Sequence, residues 1–236
     1  MKQASSNLEA KRAAGQAAAQ MVGRGMAVGV GTGSTALAFI EALAERNRSE
    51  DLQLQVVPTS FQSKTLCVQH GFTVLDPAFL TRLDLCVDGA DQVDPKLNAI
   101  KGGGACHTVE KVVASLADRY ILVVDESKLV TALGDGFPVP IEVLPPALGL
   151  VKREIERMGY SCSLRSGTGK DGPVRTDEGN LVLDMHTGPM EDPVAISRRL
   201  DGIPGLVGHG LFVAMVDAVV VGRTRDGEAV ADVVSR

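Results

Sequence analysis

Short apolar runs alternate with helical stretches from the N-terminus to about residue 130, and this constrains the fold more than any other feature of the sequence. MAVGV (26–30), LQVVPT (54–59), FTVLD (72–76), LDLCVDGAD (83–91) and YILVVDES (120–127) read as short strands. Between them, TALAFIEALAER (35–46) and FQSKTLCVQHG (61–71) carry helical spacing, and Ser6-Asn7 ahead of LEAKRAAGQAAAQMV predicts a capped, Ala-rich first helix. Strands separated by helices cannot pair as hairpins, so the pattern predicts an α/β fold with an open, mostly parallel, Rossmann-like sheet. Ligands in such sheets gather at the carboxyl ends of the strands.

The texture changes at GDGFPVPIEVLPPALGL (134–150), rich in Gly and Pro. Beyond it PIEVL, YSCSLR and NLVLDMH read as strands, ALGLVKREIERMG and DPVAISRRLDG as helices, and GTGKDGP as a polar loop. This predicts an inserted smaller α+β domain over 135–209, with residues 1–134 and 210–236 forming the larger α/β domain. GLFVAM (210–215) and AVVVGR (218–223) are expected to return the chain to the first sheet.

Four loops at predicted strand ends can carry chemistry. Gly29-Val-Gly-Thr-Gly-Ser-Thr35 lets a backbone approach an anion and aims amides at it, with Thr32, Ser34 and Thr35 adding hydroxyls around Gly33. Ser34 stands where a dinucleotide fingerprint needs glycine, and no Walker lysine follows Gly33. Asp88-Gly89-Ala90-Asp91 sets two carboxylates on a turn, which suits proton exchange, sugar hydroxyls or a metal ion; taken on its own, plain Asp-Gly turn chemistry is the stronger reading. In Lys101-Gly-Gly-Gly-Ala-Cys-His-Thr-Val-Glu-Lys111 the amides of Gly102, Gly103 and Gly104 stand beside a lysine, an arrangement that can stabilise an oxyanion. Thr108 is the expected N-cap of the following helix, with Glu110 in its first turn, where the helix dipole alone would favour a carboxylate; His107 reads as a packed or solvent-facing neighbour of the cap. Asp125-Glu-Ser-Lys128 places Lys128 past a strand end.

A net charge of -5 gives no basic footprint for nucleic acid or an anionic membrane. No stretch approaches a membrane span or a signal sequence, so a cytoplasmic location is expected. Cys67, Cys86, Cys106 and Cys162 lack paired spacing and read as reduced thiols. No His/Cys cluster has metal-ligand spacing.

Taken in order, VGVGTGST (28–35), PTSFQS (58–63), VDGADQVD (87–94), IKGGGA (100–105), Glu110-Lys111, DESK (125–128), PVPIEVLP (138–145) and TDEGNLVLD (176–184) resemble the type A ribose-5-phosphate isomerases over nearly the whole chain. The resemblance implies interconversion of ribose 5-phosphate and ribulose 5-phosphate without metal or cofactor, and a homodimer or homotetramer. It implies Glu110 as the proton acceptor, Asp88 in ring opening and proton movement between O1 and O2, and Asp91 near the sugar hydroxyls. Lys101 and the amides of Gly102–Gly104 would stabilise the enediolate, Thr32–Thr35 and Lys128 would bind ligand, and Lys11 would approach the phosphate. The family commonly has arginine just before the glutamate, where this chain has Val109. A sugar-phosphate sensor would need a DNA-binding segment, and the roughly 25 residues before the first strand are too short for a helix-turn-helix domain. A nucleotide-binding oxidoreductase is disfavoured by Ser34.

Overall fold

The computed structural model describes residues 2–167, 169 and 171–236, with side chains from Leu8 onward; Thr168 and Lys170 of the GTGKDGP loop lie outside them. In chain order the strands are β1 (Ala27–Val30), β2 (Gln55–Pro58), β3 (Thr73–Val74), β4 (Leu85–Asp88), β5 (Gln92–Val93), β6 (Ala99–Ile100) and β7 (Tyr120–Asp125). They continue as β8 (Val139–Val143), β9 (Ser161–Leu164), β10 (Leu181–His186), β11 (Leu206–His209), β12 (Leu211–Phe212), β13 (Ala218–Arg225) and β14 (Glu228–Ser235). The helices are α1 (Lys2–Ala19), α2 (Ser34–Glu50), α3 (Phe61–Gln69), α4 (His107–Leu116), α5 (Leu148–Arg157) and α6 (Pro193–Asp201).

Two compact units form. One holds the chain through Ala90, Val109–Leu129 and Met215–Arg236; the other holds Asp91–Thr108 and Val130–Ala214. In the first, a seven-stranded sheet has the order β14-β13-β7-β4-β1-β2-β3. Every neighbouring pair from β13 to β3 is parallel, and β14 alone runs antiparallel, on β13. The chain leaves β1 outward to β2 and β3, then returns to β4 on the other side of β1. That reversal opens a crevice at the carboxyl ends of β1 and β4. The strands are short and β-branched because they are buried, as in Val28, Val56, Val87, Ile121 and Val123. α2 covers them with Ala36, Phe39, Ile40, Leu43 and Ala44, the i, i+3, i+4, i+7, i+8 spacing of one helix face. Each such large side chain contributes about 1.5–3 kcal/mol by leaving water.

The second unit holds a four-stranded antiparallel sheet, β11-β8-β10-β9, and a three-stranded one, β12-β6-β5. α5 buries Val151 and Ile155, four residues apart. α6 begins where Asp192 accepts the Ala195 N–H (2.9 Å), with Pro193 in the first turn, and buries Ile196 and Leu200.

Four expectations differ from the structure. α1 starts at Lys2, so Ser6-Asn7 lie inside it. α4 opens at His107, which puts Thr108 within the helix rather than at its cap; Gly102 (φ 100°) and Ala105 (φ 61°) complete the preceding turn early, closed by Ala105 N–H to Gly102 O at 3.0 Å. AVVVGR joins the first sheet as β13, but GLFVAM does not: Leu211 and Phe212 pair with Ile100 and Ala99. Residues 91–108, assigned from sequence to the larger domain, pack with 130–214, because β6 pairs with β12 on one side and with β5 on the other, and neither β5 nor β6 joins the parallel sheet.

Candidate active site

In the first unit four parallel strands end on one edge in polar residues: β1 in Gly31–Ser34, β2 in Thr59–Ser60, β4 in Asp88 and β7 in Asp125. Asp88 is fully buried, and its Oδ1 accepts the backbone N–H of Thr32 (3.1 Å) and of Gly89 (2.7 Å). The carboxylate therefore ties the loop after β1 to the end of β4. A Cβ on Gly31 would overlap that carboxylate, so glycine is required there by close approach. Gly33, at φ 97°, opens α2 beyond it. Thr32 Oγ1 donates to Ser60 Oγ (2.7 Å) and lies 3.1 Å from Thr59 Oγ1. Ser60 in turn caps α3 through the Ser63 N–H at 3.1 Å.

Glu110 stands in the first turn of α4 and is 4% exposed. Its position is fixed by burial of Val113 and Ala114 on the same helix. Tyr120, at the start of β7, is buried with it. Burial first, then the charges of Asp88, Cys86 and Glu110, hold the Tyr120 phenol well above its usual pKa. One neutral hydroxyl thus sits in the field of both Asp88 and Glu110.

Lys11 on α1 donates to Ser34 Oγ (3.1 Å) and lies 3.7 Å from Asp125 Oδ2. Asp125 Oδ1 accepts the Ser127 N–H at 3.0 Å, capping the 3₁₀ turn Glu126–Lys128 that carries Lys128. Lys11, Ser34 and the Lys128 turn are therefore assembled around Asp125.

The second unit carries Asp91, Lys101 and the three glycines. Lys101 is 3% exposed; its N–H donates to Gly210 O (2.9 Å) and its ammonium lies 5.4 Å from the centre of the Phe212 ring, a cation–π distance. The His107 ring is fully buried and close-packed on Gly102. Gly103 and Gly104 are exposed, and the Gly103 N–H donates to Asp91 Oδ2 at 2.8 Å. Not all three amides are open to a ligand, as the sequence suggested, because Asp91 already occupies one. Among the described residues no group of three His, Cys, Asp or Glu side chains converges as a metal site would require, and no helix is long and apolar enough to cross a membrane.

A family model described as ribose 5-phosphate isomerase A (phosphoriboisomerase A) matches residues 55–226. The chain belongs to the ribose 5-phosphate isomerase A family. It is 50% identical over 214 residues to the ribose-5-phosphate isomerase A of Methanothermobacter thermautotrophicus, covering 91% of this chain and 94% of the relative. The Thermosynechococcus vestitus protein of the same name is 47% identical over 219 residues, covering 92% and 93%. Among solved structures, ribose 5-phosphate isomerase A from Methanocaldococcus jannaschii superposes with a TM-score of 0.92 at 38% identity, over 98% of this chain and all of that one. A D-ribose-5-phosphate isomerase in complex with phospho-erythronic acid superposes at 0.91 with 39% identity, over 97% and 98%.

Several residues of these clusters have no role assigned from sequence. Thr59 and Ser60 fall in PTSFQS and carry a usable signal, a Pro-Thr-Ser end to an apolar strand followed by a serine capping box. Tyr120 and Phe212 have none, because an aromatic residue in an apolar run reads as core.

Proposed function

We propose that the chain interconverts D-ribose 5-phosphate and D-ribulose 5-phosphate by moving one proton between C2 and C1, with Glu110 as the base. The observation that carries this reading is the buried Glu110 carboxylate, whose charge, like that of Asp88, acts on the buried Tyr120 phenol. Asp88 assists opening of the sugar ring to the free aldehyde. Glu110 takes the C2 proton, and the electron pair moves through the C1–C2 bond onto O1, giving a cis-enediolate. Asp88 carries the O2 proton to O1, and Glu110 returns its proton at C1 as O2 becomes the carbonyl. Carbon 1 is reduced as carbon 2 is oxidised, so the step balances without an external hydride acceptor.

Lys101 and the glycine-loop amides serve the enediolate oxygen, each such donor worth about 3–4 kcal/mol in the transition state. Asp91 faces the sugar hydroxyls. Thr32, Gly33, Ser34 and Thr35, with Lys11 and Lys128, take the phosphate end, which suits the cluster around Asp125. Phospho-erythronic acid, the ligand of the related structure, joins a planar carboxylate to a phosphorylated chain, and so has the charge and shape of an enediolate phosphate. A homodimer or homotetramer in the cytoplasm completes the reading, and light scattering of the purified chain decides the assembly. The test of function is Glu110→Gln. Turnover of ribose 5-phosphate should fall by about 10²–10⁴-fold with folding and sugar-phosphate binding kept; near-normal turnover removes Glu110 from the base role.

A further inference from the structure

The loop Gly102–Gly104 is gripped by a residue given no role above. Arg165 directly follows β9, and its Nη1 donates to the carbonyl oxygens of Gly102 (2.9 Å) and Gly103 (3.1 Å). Its Nε donates to the two carboxylate oxygens of Asp184 at 2.9 and 3.2 Å, and Nη2 also reaches Asp184 Oδ1. Asp184 lies on β10, directly opposite Ser163 of β9, so the pair is braced across two hydrogen-bonded strands. The Arg165 and Asp184 side chains are only 15% and 17% exposed.

Peptide planarity converts that grip into direction. In a trans peptide the C=O of one residue and the N–H of the next point opposite ways. With the Gly102 carbonyl on Arg165, the Gly103 N–H must face away, and it is found on Asp91. With the Gly103 carbonyl on Arg165, the Gly104 N–H is likewise turned away from the guanidinium. Gly104 is exposed, and its N–H meets no acceptor among the described residues. Three consecutive glycines have no side chains to select a conformation and the widest backbone freedom of any residue. Something outside the loop has to choose for them.

We propose that Arg165, braced by Asp184, is a positioning residue for the isomerisation: it fixes the peptides of the glycine loop so that the Gly104 N–H is presented ready-made to the enediolate oxygen. The inference rests on the function proposed above, in which the loop amides serve that oxygen. The planar fork sets Nε and Nη2 on the carboxylate and Nη1 on the two carbonyls, whereas an ammonium gathers its three donors on one nitrogen and does not span the same acceptors bidentately.

Arg165→Lys in the full chain tests it, with Asp184→Asn as a second, milder variant. Steady-state kinetics on ribose 5-phosphate are read beside amide hydrogen exchange across residues 101–107 and across β8 and β10. For Arg165→Lys, kcat should fall by about 10- to 100-fold, the cost of a slightly misplaced donor. KM should stay within about threefold, because the lost interaction belongs to the transition state. Loop amides should exchange faster while β8 and β10 exchange as before, and Asp184→Asn should shift both readouts the same way by less. Wild-type loop exchange in Arg165→Lys overturns the proposal whatever the rate, and so does faster exchange throughout β8 and β10, which marks a general structural role. A wild-type chain with no activity on ribose 5-phosphate would instead refute the proposed function, while the exchange data would still decide whether Arg165 holds the loop.

Discussion

Replacing Asp88 with asparagine separates what this carboxylate does for the fold from what it does for the reaction. Its Oδ1 accepts the Thr32 and Gly89 amides at 3.1 and 2.7 Å, and an asparagine oxygen can accept both in the same orientation. Hydrogen bonds to a charged group contribute about 1.5–3 kcal/mol and neutral ones about 0.5–1.5, so two bonds losing their charge assistance cost about 2–3 kcal/mol. Part of this returns, because a fully buried charge no longer has to be kept from water. The net loss is about 1–2 kcal/mol, or roughly 2–8 °C in Tm for a chain of this size. The chemical loss is larger. Asparagine cannot carry a proton between O1 and O2, and loss of a positioned acid–base group costs about 10²–10⁴ in rate, or about 3–5 kcal/mol of barrier. Asp88→Asn should therefore unfold cooperatively a few degrees early and turn over ribose 5-phosphate at least about a hundredfold more slowly. Calorimetry and an NMR progress curve on the same sample read both numbers. A kcat within about threefold of wild type would refute the role given to Asp88.

Gly31→Ala places a methyl group where the Asp88 carboxylate lies, so it should cost about 1–3 kcal/mol of stability and also lower kcat, whereas a melting curve and rate equal to wild type would contradict that close approach. Lys128→Ala should weaken binding of phosphorylated sugars far more than of unphosphorylated ribose, as titration calorimetry would read; unchanged affinity for ribose 5-phosphate would remove Lys128 from the phosphate end. Tyr120 and Cys67 both stay protonated in the folded chain at pH values where the unfolded chain ionises: burial chiefly raises the first, and burial pushes the Cys67 thiol up to about 12. Their stabilisation is whole below the unfolded pKa values, about 8.5 for the thiol and 10 for the phenol, and is lost as pH rises past them toward the folded values. Between about pH 9 and 11, Tm should thus fall more steeply for wild type than for Tyr120→Phe, and parallel curves would contradict the buried phenol.

The parallel sheet was legible because alternation and strand length are local properties, and each polar loop follows an apolar run that ends abruptly, as VGV does before Gly31-Thr32-Gly33 and LCV before Asp88. Partner choice was not. Leu211-Phe212 reads like any apolar strand, and nothing local says that it pairs with Ala99-Ile100 rather than with the large sheet. The same limit separated Asp88 from Asp91. Three residues apart on one turn, they read as a pair, yet Asp88 is held by the loop after β1 and Asp91 by the glycine loop. The start of α4 was misplaced because a threonine ahead of a helix reads as a cap, while the left-handed conformation of Ala105 that closes the turn has no sequence mark. Arg165 was invisible for a different reason: it reaches the Gly102 carbonyl across 63 residues of chain, and an arginine after a strand carries no signal. Function was legible chiefly through the order of the loops, since each loop alone has an ordinary structural explanation.

The most direct test of Glu110 as the carrier of the proton is proton NMR of ribose 5-phosphate in D₂O with wild type and Glu110→Gln side by side. With wild type, ribulose 5-phosphate should form and deuterium should enter at C1 and C2, while the Glu110→Gln variant binds the sugar phosphate but leaves both carbon-bound protons in place. Deuterium entering at an undiminished rate in the variant would contradict the account, because another group would then be taking the proton from carbon.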